Sequence, residues 1–204
     1  MAPHPTTLER AAAAPHAVLK AELRRTALVA RDALDARVRE EASAAIVAAL
    51  LDLPALADAG LVAAYWPIRS EADPRAALRA MVERGQRVAL PQVTPEGLVF
   101  RDWRPGDALV AGRFGLSEPD PGRPAVEPDA LIVPLAAFDP GGQRVGYGRG
   151  YYDGAIARLS RAGPLVTVGV GFSAQAVARV PAEPHDRPLQ HVVTEHGPVA
   201  LRNL

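Results

Sequence analysis

Three glycines at alternate positions, Gly146, Gly148 and Gly150, lead into Tyr151, Tyr152 and Asp153 in the stretch GYGRGYYDG. Glycine lets a backbone come close to a ligand and adopt unusual φ/ψ. The residues that follow, AIARL, read as a helix whose first N–H groups are free to meet an anion. Arg144 and Arg149 add positive charge at the same place. A structural strand-to-helix turn needs one or two glycines, so three alternating ones between arginines favour a phosphate-binding loop. The pattern is not the G-x-G-x-x-G dinucleotide fingerprint, and no G-K-[ST] follows to make a P-loop.

Other residues could supply companion chemistry. Asp153 sits just inside the expected helix start, where the dipole favours any carboxylate, so a helix-capping role is open to it. A second acid, Asp186 in PAEPHDRPL, makes Mg²⁺ ligation possible, because Mg²⁺ bound with phosphates usually takes one or two protein carboxylates plus waters. Lys20 is the only lysine among 23 basic residues, and Arg24 follows it four residues on, so the two share one helical face. Glu71 in YWPIRSEAD lies just beyond the strand ending at Trp66, in the region where open α/β sheets bind ligands. Taken singly, Glu71 also reads as a solvated loop acid and Trp66 as core. Cys is absent and neither H-E-x-x-H nor G-x-S-x-G occurs, which excludes thiolate metal sites and argues against covalent catalysis.

The elements that must position these residues follow from periodicity. Apolar residues recur at helical spacing from about Val18 to Leu51, as one helix or two with a break near Asp32 to Asp35, until Pro54 closes the segment. Gly60 to Trp66 predicts a buried strand, Asp73 to Gly85 a helix opened by Asp and Pro, and QRVALPQV a second strand. Gly97 to Trp103 predicts another strand. Pro105 to Pro128, rich in Pro and Gly, is expected to be a long surface loop carrying FGLSEP. Asp129 to Asp139 is the most apolar strand signal, followed by the glycine loop and its helix. Pro164 to Phe172 and His191 to Glu195 predict the last strands. Strands alternating with helices imply a single α/β domain with a central, mostly parallel sheet and helices on both faces, a Rossmann-like three-layer arrangement. Residues 1–17 are expected to form a flexible tail and 18–204 the domain.

At 204 residues with 49% hydrophobic and 23% charged, the chain can bury its own core. Acidic and basic residues balance at 23 each, so no global field favours nucleic acid or an acidic membrane, and any anion site must be local. The lack of Cys fits a reducing, cytoplasmic setting. No apolar run approaches the roughly 18 residues of a membrane span, and the first twenty residues lack the uninterrupted apolar core of a secretion signal. The chain is expected to act as a monomer on small molecules.

KAELR, YWPIRSEAD, FGLSEP, LIVPLAAFDPGGQRVGYGRGYYDG and VPAEPHDRPLQHVVTE, in this order and spacing, resemble the 5-formyltetrahydrofolate cyclo-ligase family, from about Lys20 to Glu195. The resemblance implies ATP- and Mg²⁺-dependent closure of 5-formyltetrahydrofolate to 5,10-methenyltetrahydrofolate, with ADP and phosphate released. By matching position, it implies an ATP site at Lys20, Arg24 and Arg144 with Gly146, Tyr147, Gly148, Arg149, Gly150, Tyr151 and Tyr152. Trp66 and Glu71 match folate-contacting positions, with Tyr147 to Tyr151 shared between the two substrates. Arg144, Arg149 and Tyr151 form the implied catalytic set, and Asp153 with Asp186 the implied Mg²⁺ pair. Relatives often carry Lys where this chain has Arg149, which keeps the charge and alters its geometry. Two other readings stand beside this one: a folate- or nucleotide-binding protein without catalysis on the same scaffold, and a sugar-phosphate isomerase or acyl-CoA transferase of similar architecture that works without ATP.

Overall fold

The structure is a computed structural model that describes the backbone over residues 7–202 and side chains over 16–202. The part of the expected tail before residue 7 lies outside the described residues. An Ala-rich helix, α1 (Thr7–Asp32), begins earlier than the apolar spacing predicts and ends at the expected break. Asp35 restarts the chain as a helix by accepting a 2.8 Å hydrogen bond from the Arg37 N–H, giving α2 (Ala36–Leu51). Pro54 opens the short α3 (Pro54–Ala57). Next come β1 (Leu61–Ala63), α4 (Arg75–Glu83), β2 (Arg87–Thr94) and β3 (Gly97–Trp103). Three short strands follow, β4 (Leu109–Ala111), β5 (Ser117–Pro119) and β6 (Ala125–Val126). The second half of the chain supplies β7 (Ala130–Pro134), β8 (Ala137–Phe138), β9 (Arg144–Val145) and α5 (Tyr151–Ala162). It ends with β10 (Val166–Val170), β11 (His191–Thr194) and β12 (Gly197–Pro198).

Eight strands form one sheet in the order β12-β11-β10-β7-β1-β2-β3-β6. The pairings from β11 through β10, β7 and β1 to β2 are parallel, and the outer pairings are antiparallel. Alternation within each central strand sends side chains to opposite faces. Val62, Ala130 and Ile132 pack with Ile46, Leu50, Leu78 and Met81 of α2 and α4, while Ala63, Leu131 and Val133 pack with Ala155, Ile156 and Leu159 of α5. This is the expected single α/β domain with a mostly parallel sheet covered on both faces. Winding proceeds from β1 to β2 in one direction and from β7 to β10 in the other. The carboxyl ends of β1 and β7 therefore flank a topological switch point, where such sheets bind ligands.

The expectation of a long surface loop from Pro105 to Pro128 is corrected. The segment holds the β4–β5 hairpin and the edge strand β6, and Glu118 and Pro119 are buried. Three-residue strands are too short to show an alternating pattern among so many Pro and Gly. Among the described residues no helix is long and apolar enough to cross a membrane.

The turn between β8 and β9 ties down the segment that will face the glycine loop. Asp139 accepts hydrogen bonds from the N–H groups of Gly141, Gln143 and Val180, and the Leu189 N–H donates to the Gly142 carbonyl at 2.8 Å. Gly142 has φ +75°, and a Cβ there would lie 2.5 Å from the Leu189 carbonyl oxygen. Gly142→Ala should therefore cost about 2 kcal/mol through left-handed strain and backbone collision. Thermal unfolding should show a Tm several degrees lower, and an unchanged Tm would mean that this turn does not pin the segment.

Candidate active site

The glycine loop joins β9 to α5 and faces a cleft of ≈ 660 Å³ at the switch point. Gly148 (φ +87°) and Gly150 (φ +66°) hold backbone conformations that side chains rarely adopt, and Gly150 directly precedes the first residue of α5. A Cβ on Gly148 would lie 3.1 Å from a guanidinium nitrogen of Arg24, so this glycine also admits the arginine. The first turn of α5 then presents its unpaired N–H groups beside the loop.

One face of α1 lies over this loop. Lys20, Arg24, Ala27 and Arg31 recur at three- and four-residue spacing, which stacks them on one side of a helix. Lys20 Nζ bridges Glu183 Oε2 and Asp186 Oδ2, each at 2.6 Å. Burial works to lower the Lys20 pKa, but these two bonds and the two negative charges outweigh it, and the pKa is raised. Arg24 Nε donates to the Gly146 carbonyl at 2.7 Å. Ala27 packs on Ala137 and Val145 of the β8–β9 hairpin. Arg31, only 1% exposed, donates to the Tyr147 hydroxyl at 2.9 Å and to Ser70 Oγ at 3.0 Å.

The acids cluster at the other side of the loop. Arg144 is buried, with one guanidinium nitrogen 2.6 Å from the Arg187 carbonyl and the other 2.9 Å from Asp153 Oδ1. Asp153 Oδ1 also accepts from the Arg187 N–H at 3.2 Å, so Asp153 abuts the residue after Asp186. Its other oxygen, Oδ2, takes no hydrogen bond among the described residues. Glu183, His185 and Asp186 bring one donor atom each within 4.8 Å of one another.

The remaining cleft wall is mostly aromatic and apolar. Trp66 stands edge-on to Trp103 with centroids 5.8 Å apart, and the Arg75 guanidinium lies over the Trp66 ring at 5.2 Å. Glu71 accepts from the Ile68 N–H at 2.9 Å. Burial raises the Glu71 pKa, against the lowering effect of that bond and of the Arg31 and Arg69 charges. Burial and the neighbouring Glu71 push the Tyr147 phenol up to about 12, so its hydroxyl keeps its proton at neutral pH. Arg149 extends the other way and stacks 3.9 Å from the ring of Phe114, which sits at the tip of the β4–β5 hairpin with φ +60°.

All the residues singled out in the sequence thus line one cleft: Lys20, Arg24, Trp66, Glu71, Arg144, Gly146 to Asp153 and Asp186. Their engagements differ. Lys20 and Arg144 already hold carboxylates, Arg24 holds a loop carbonyl, and Arg149 stacks on an aromatic ring. Tyr152, in the first turn of α5, turns partly into the core, its hydroxyl buried without a partner among the described residues. Sequence reasoning missed Arg31, Glu183 and Phe114. Arg31 was accessible in principle, since it extends the Lys20–Arg24 face by two further turns. Glu183 and Phe114 carry no local signal, because only the fold brings them to Lys20 and Arg149.

The sequence profile of the 5-formyltetrahydrofolate cyclo-ligase family matches residues 16–195. The 5-formyltetrahydrofolate cyclo-ligase of Mycolicibacterium smegmatis is 34% identical over 194 residues, covering 90% of this chain and 97% of the relative. The enzyme of that name from Escherichia coli K12 is 32% identical over 171 residues, covering 80% and 93%. The solved structure of Aquifex aeolicus 5,10-methenyltetrahydrofolate synthetase superposes with a TM-score of 0.77 at 32% identity, covering 91% of this chain and 94% of that one.

Glu71 generates a stability test of the site's electrostatics. Because its pKa is raised on folding, the native state holds a proton that the unfolded state releases as pH climbs past the ordinary Glu value. The charged carboxylate therefore opposes folding at neutral pH. Glu71→Gln should raise Tm at pH 7.5, and the gain should vanish below about pH 3, where both states are protonated. A Tm difference independent of pH, or a loss at pH 7.5, would show that Arg31 and Arg69 fully compensate the buried charge.

Proposed function

Since the chain belongs to the 5-formyltetrahydrofolate cyclo-ligase family, we propose that it closes 5-formyltetrahydrofolate to 5,10-methenyltetrahydrofolate at the expense of Mg·ATP, releasing ADP and phosphate. The observation that carries this reading is the pairing, in one cleft, of a glycine loop flanked by arginines with an aromatic pocket holding a half-buried carboxylate. The first suits a triphosphate, and the second a flat heterocycle bearing N–H donors.

A formamide carbon is a weak electrophile. Transfer of the γ-phosphoryl to the formyl oxygen turns that oxygen into a leaving group. Attack by the substrate's own N10 on the formyl carbon then forms the new C–N bond, phosphate departs with the formyl oxygen, and N10 gives up its proton. The substrate supplies the nucleophile, so the protein needs to hold two molecules in line and stabilise charge on the transferring group, which fits a chain without Cys. The loop N–H groups and the start of α5 cradle the phosphates, while Arg24, Arg144 and Arg149 surround them with positive charge. Lys20 sets the charge of the acid segment as well as adding to this field, because its ammonium spans Glu183 and Asp186. Trp66 and Tyr147 bound the folate ring, and Glu71 accepts its N–H donors. Tyr151, the first residue of α5, lines the same cleft.

The donor set fits Mg²⁺: hard carboxylate oxygens beside a phosphate loop, with Asp153 Oδ2 free of other bonds among the described residues. Asp153 and Asp186 would hold the ion, which when bound neutralises phosphate charge. A folate- or nucleotide-binding protein without catalysis would not need acids so placed beside the loop.

Purified protein with Mg·ATP and 5-formyltetrahydrofolate should generate the near-ultraviolet absorbance of the methenyl product. Folate binding without ATP hydrolysis would favour the non-catalytic reading, and conversion without ATP would overturn both. Asp153→Asn retains an acceptor at Oδ1 for Arg144 and Arg187 while losing the charge. It should lower kcat by about 100-fold or more with Tm preserved. Near-normal turnover at saturating Mg²⁺ would remove Asp153 from the metal role.

A further inference from the structure

The β4–β5 hairpin brings to the cleft a charged group to which the roles above give no part. Glu118, on β5, is only 4% exposed, yet no cation lies within ion-pair distance of it among the described residues. Its Oε1 accepts a single bond from the Val93 N–H at 3.2 Å, and its Oε2 takes none among the described residues. A carboxylate offers about four acceptor positions, and the protein fills only one of them here. The same side chain lines the cleft beside Val93, Leu98 and Leu116, so a bound molecule can reach it.

The hairpin is also built around this group. Gly112 faces Glu118 across the turn with φ −95°, a conformation open to any residue. A Cβ there would nonetheless overlap the carboxyl group of Glu118. Glycine at 112 therefore provides room for the carboxylate and is not required by the backbone. Anchoring the hairpin to β2 would take one acceptor atom, which a neutral amide supplies equally well. A full buried carboxylate in an apolar slot calls for a donor from outside the protein.

We propose that Glu118 determines substrate specificity, its free Oε2 accepting N–H hydrogen bonds from the reduced folate heterocycle on a different wall from Glu71. This rests on the folate reading above. A site built to accept N–H groups discriminates strongly against analogues lacking them, because its own acceptor is then left unpaired. The ring lies between the apolar side chains of β2, β3 and the hairpin, with a carboxylate at each of two positions to fix its orientation.

The test is equilibrium binding of 5-formyltetrahydrofolate and, separately, of ATP to the wild type, Glu118→Gln and Gly112→Ala. Glu118→Gln keeps the bond from Val93 through its amide oxygen but replaces the second acceptor with a donor. It should weaken folate binding by about 10- to 100-fold with ATP binding and Tm unchanged. Gly112→Ala displaces the carboxyl without removing it and should weaken folate binding in the same direction. In turnover, the folate KM should rise more than kcat falls. Folate binding by Glu118→Gln within about two-fold of wild type would overturn the proposal. So would a parallel loss of folate binding, ATP binding and Tm in both variants, which would make Glu118 only a hairpin anchor. If the wild type binds ATP but no folate, the cyclo-ligase reading itself fails and the assignment of Glu118 with it.

Discussion

The site depends on the docking of one helical face, α1, across the glycine loop. Arg31 is the anchor of that contact: a guanidinium 1% exposed must have its donors filled, and the available partners are the Tyr147 hydroxyl, Ser70 and Asp32. Once Arg31 is seated, Arg24 falls on the Gly146 carbonyl and Lys20 on Glu183 and Asp186, two and three turns away along the same face. Four separate segments are thereby fixed relative to one another: α1, the loop after β1, the glycine loop and the acid segment before β11. Breaking such a buried charged network is far more damaging than its net contribution to stability, because each lost partner leaves a charge without water. The helix acts as a template for the site as much as a part of the core.

The sheet explains why these segments can meet. Winding away from β1 and β7 in opposite directions leaves a crevice at their carboxyl ends, which the chain fills with loops and not with packed helix. The β1 loop brings Trp66 and Glu71 to one side, and β7 leads through the β8–β9 hairpin to the glycine loop on the other. The cost of this arrangement is electrostatic. Glu71 is charged against the preference of its surroundings, and Glu118 has no cation beside it among the described residues, so the site holds two acceptors ready.

Much of this was legible in the chain itself. The alternating glycines, the arginines around them and the acid at the start of α5 form a local pattern, and in the structure these residues line one cleft. The alternation of apolar strands and helices was enough to specify a mostly parallel, doubly covered sheet. What was hidden depends on tertiary proximity or on very short elements. Glu183 looks like any loop acid until Lys20 meets it across the fold, and the β4–β5 hairpin lacks the length to show a period. Glu118 lies within FGLSEP, a stretch visible as a motif, but its burial depends on the register of β5 against β4 and on the space left at Gly112. Arg31 is legible in helical spacing, as the residue two turns beyond Arg24 on the same face.

In the proposed reaction the cleft couples a phosphate-binding half to a folate-binding half through the formyl oxygen. The most direct measurement places oxygen-18 in the formyl group of 5-formyltetrahydrofolate and analyses the phosphate released during turnover with unlabelled ATP and water. Phosphoryl transfer to the formyl oxygen predicts that the label appears in the phosphate, one atom for each methenyltetrahydrofolate formed. Unlabelled phosphate accompanying full conversion to the methenyl product would contradict it.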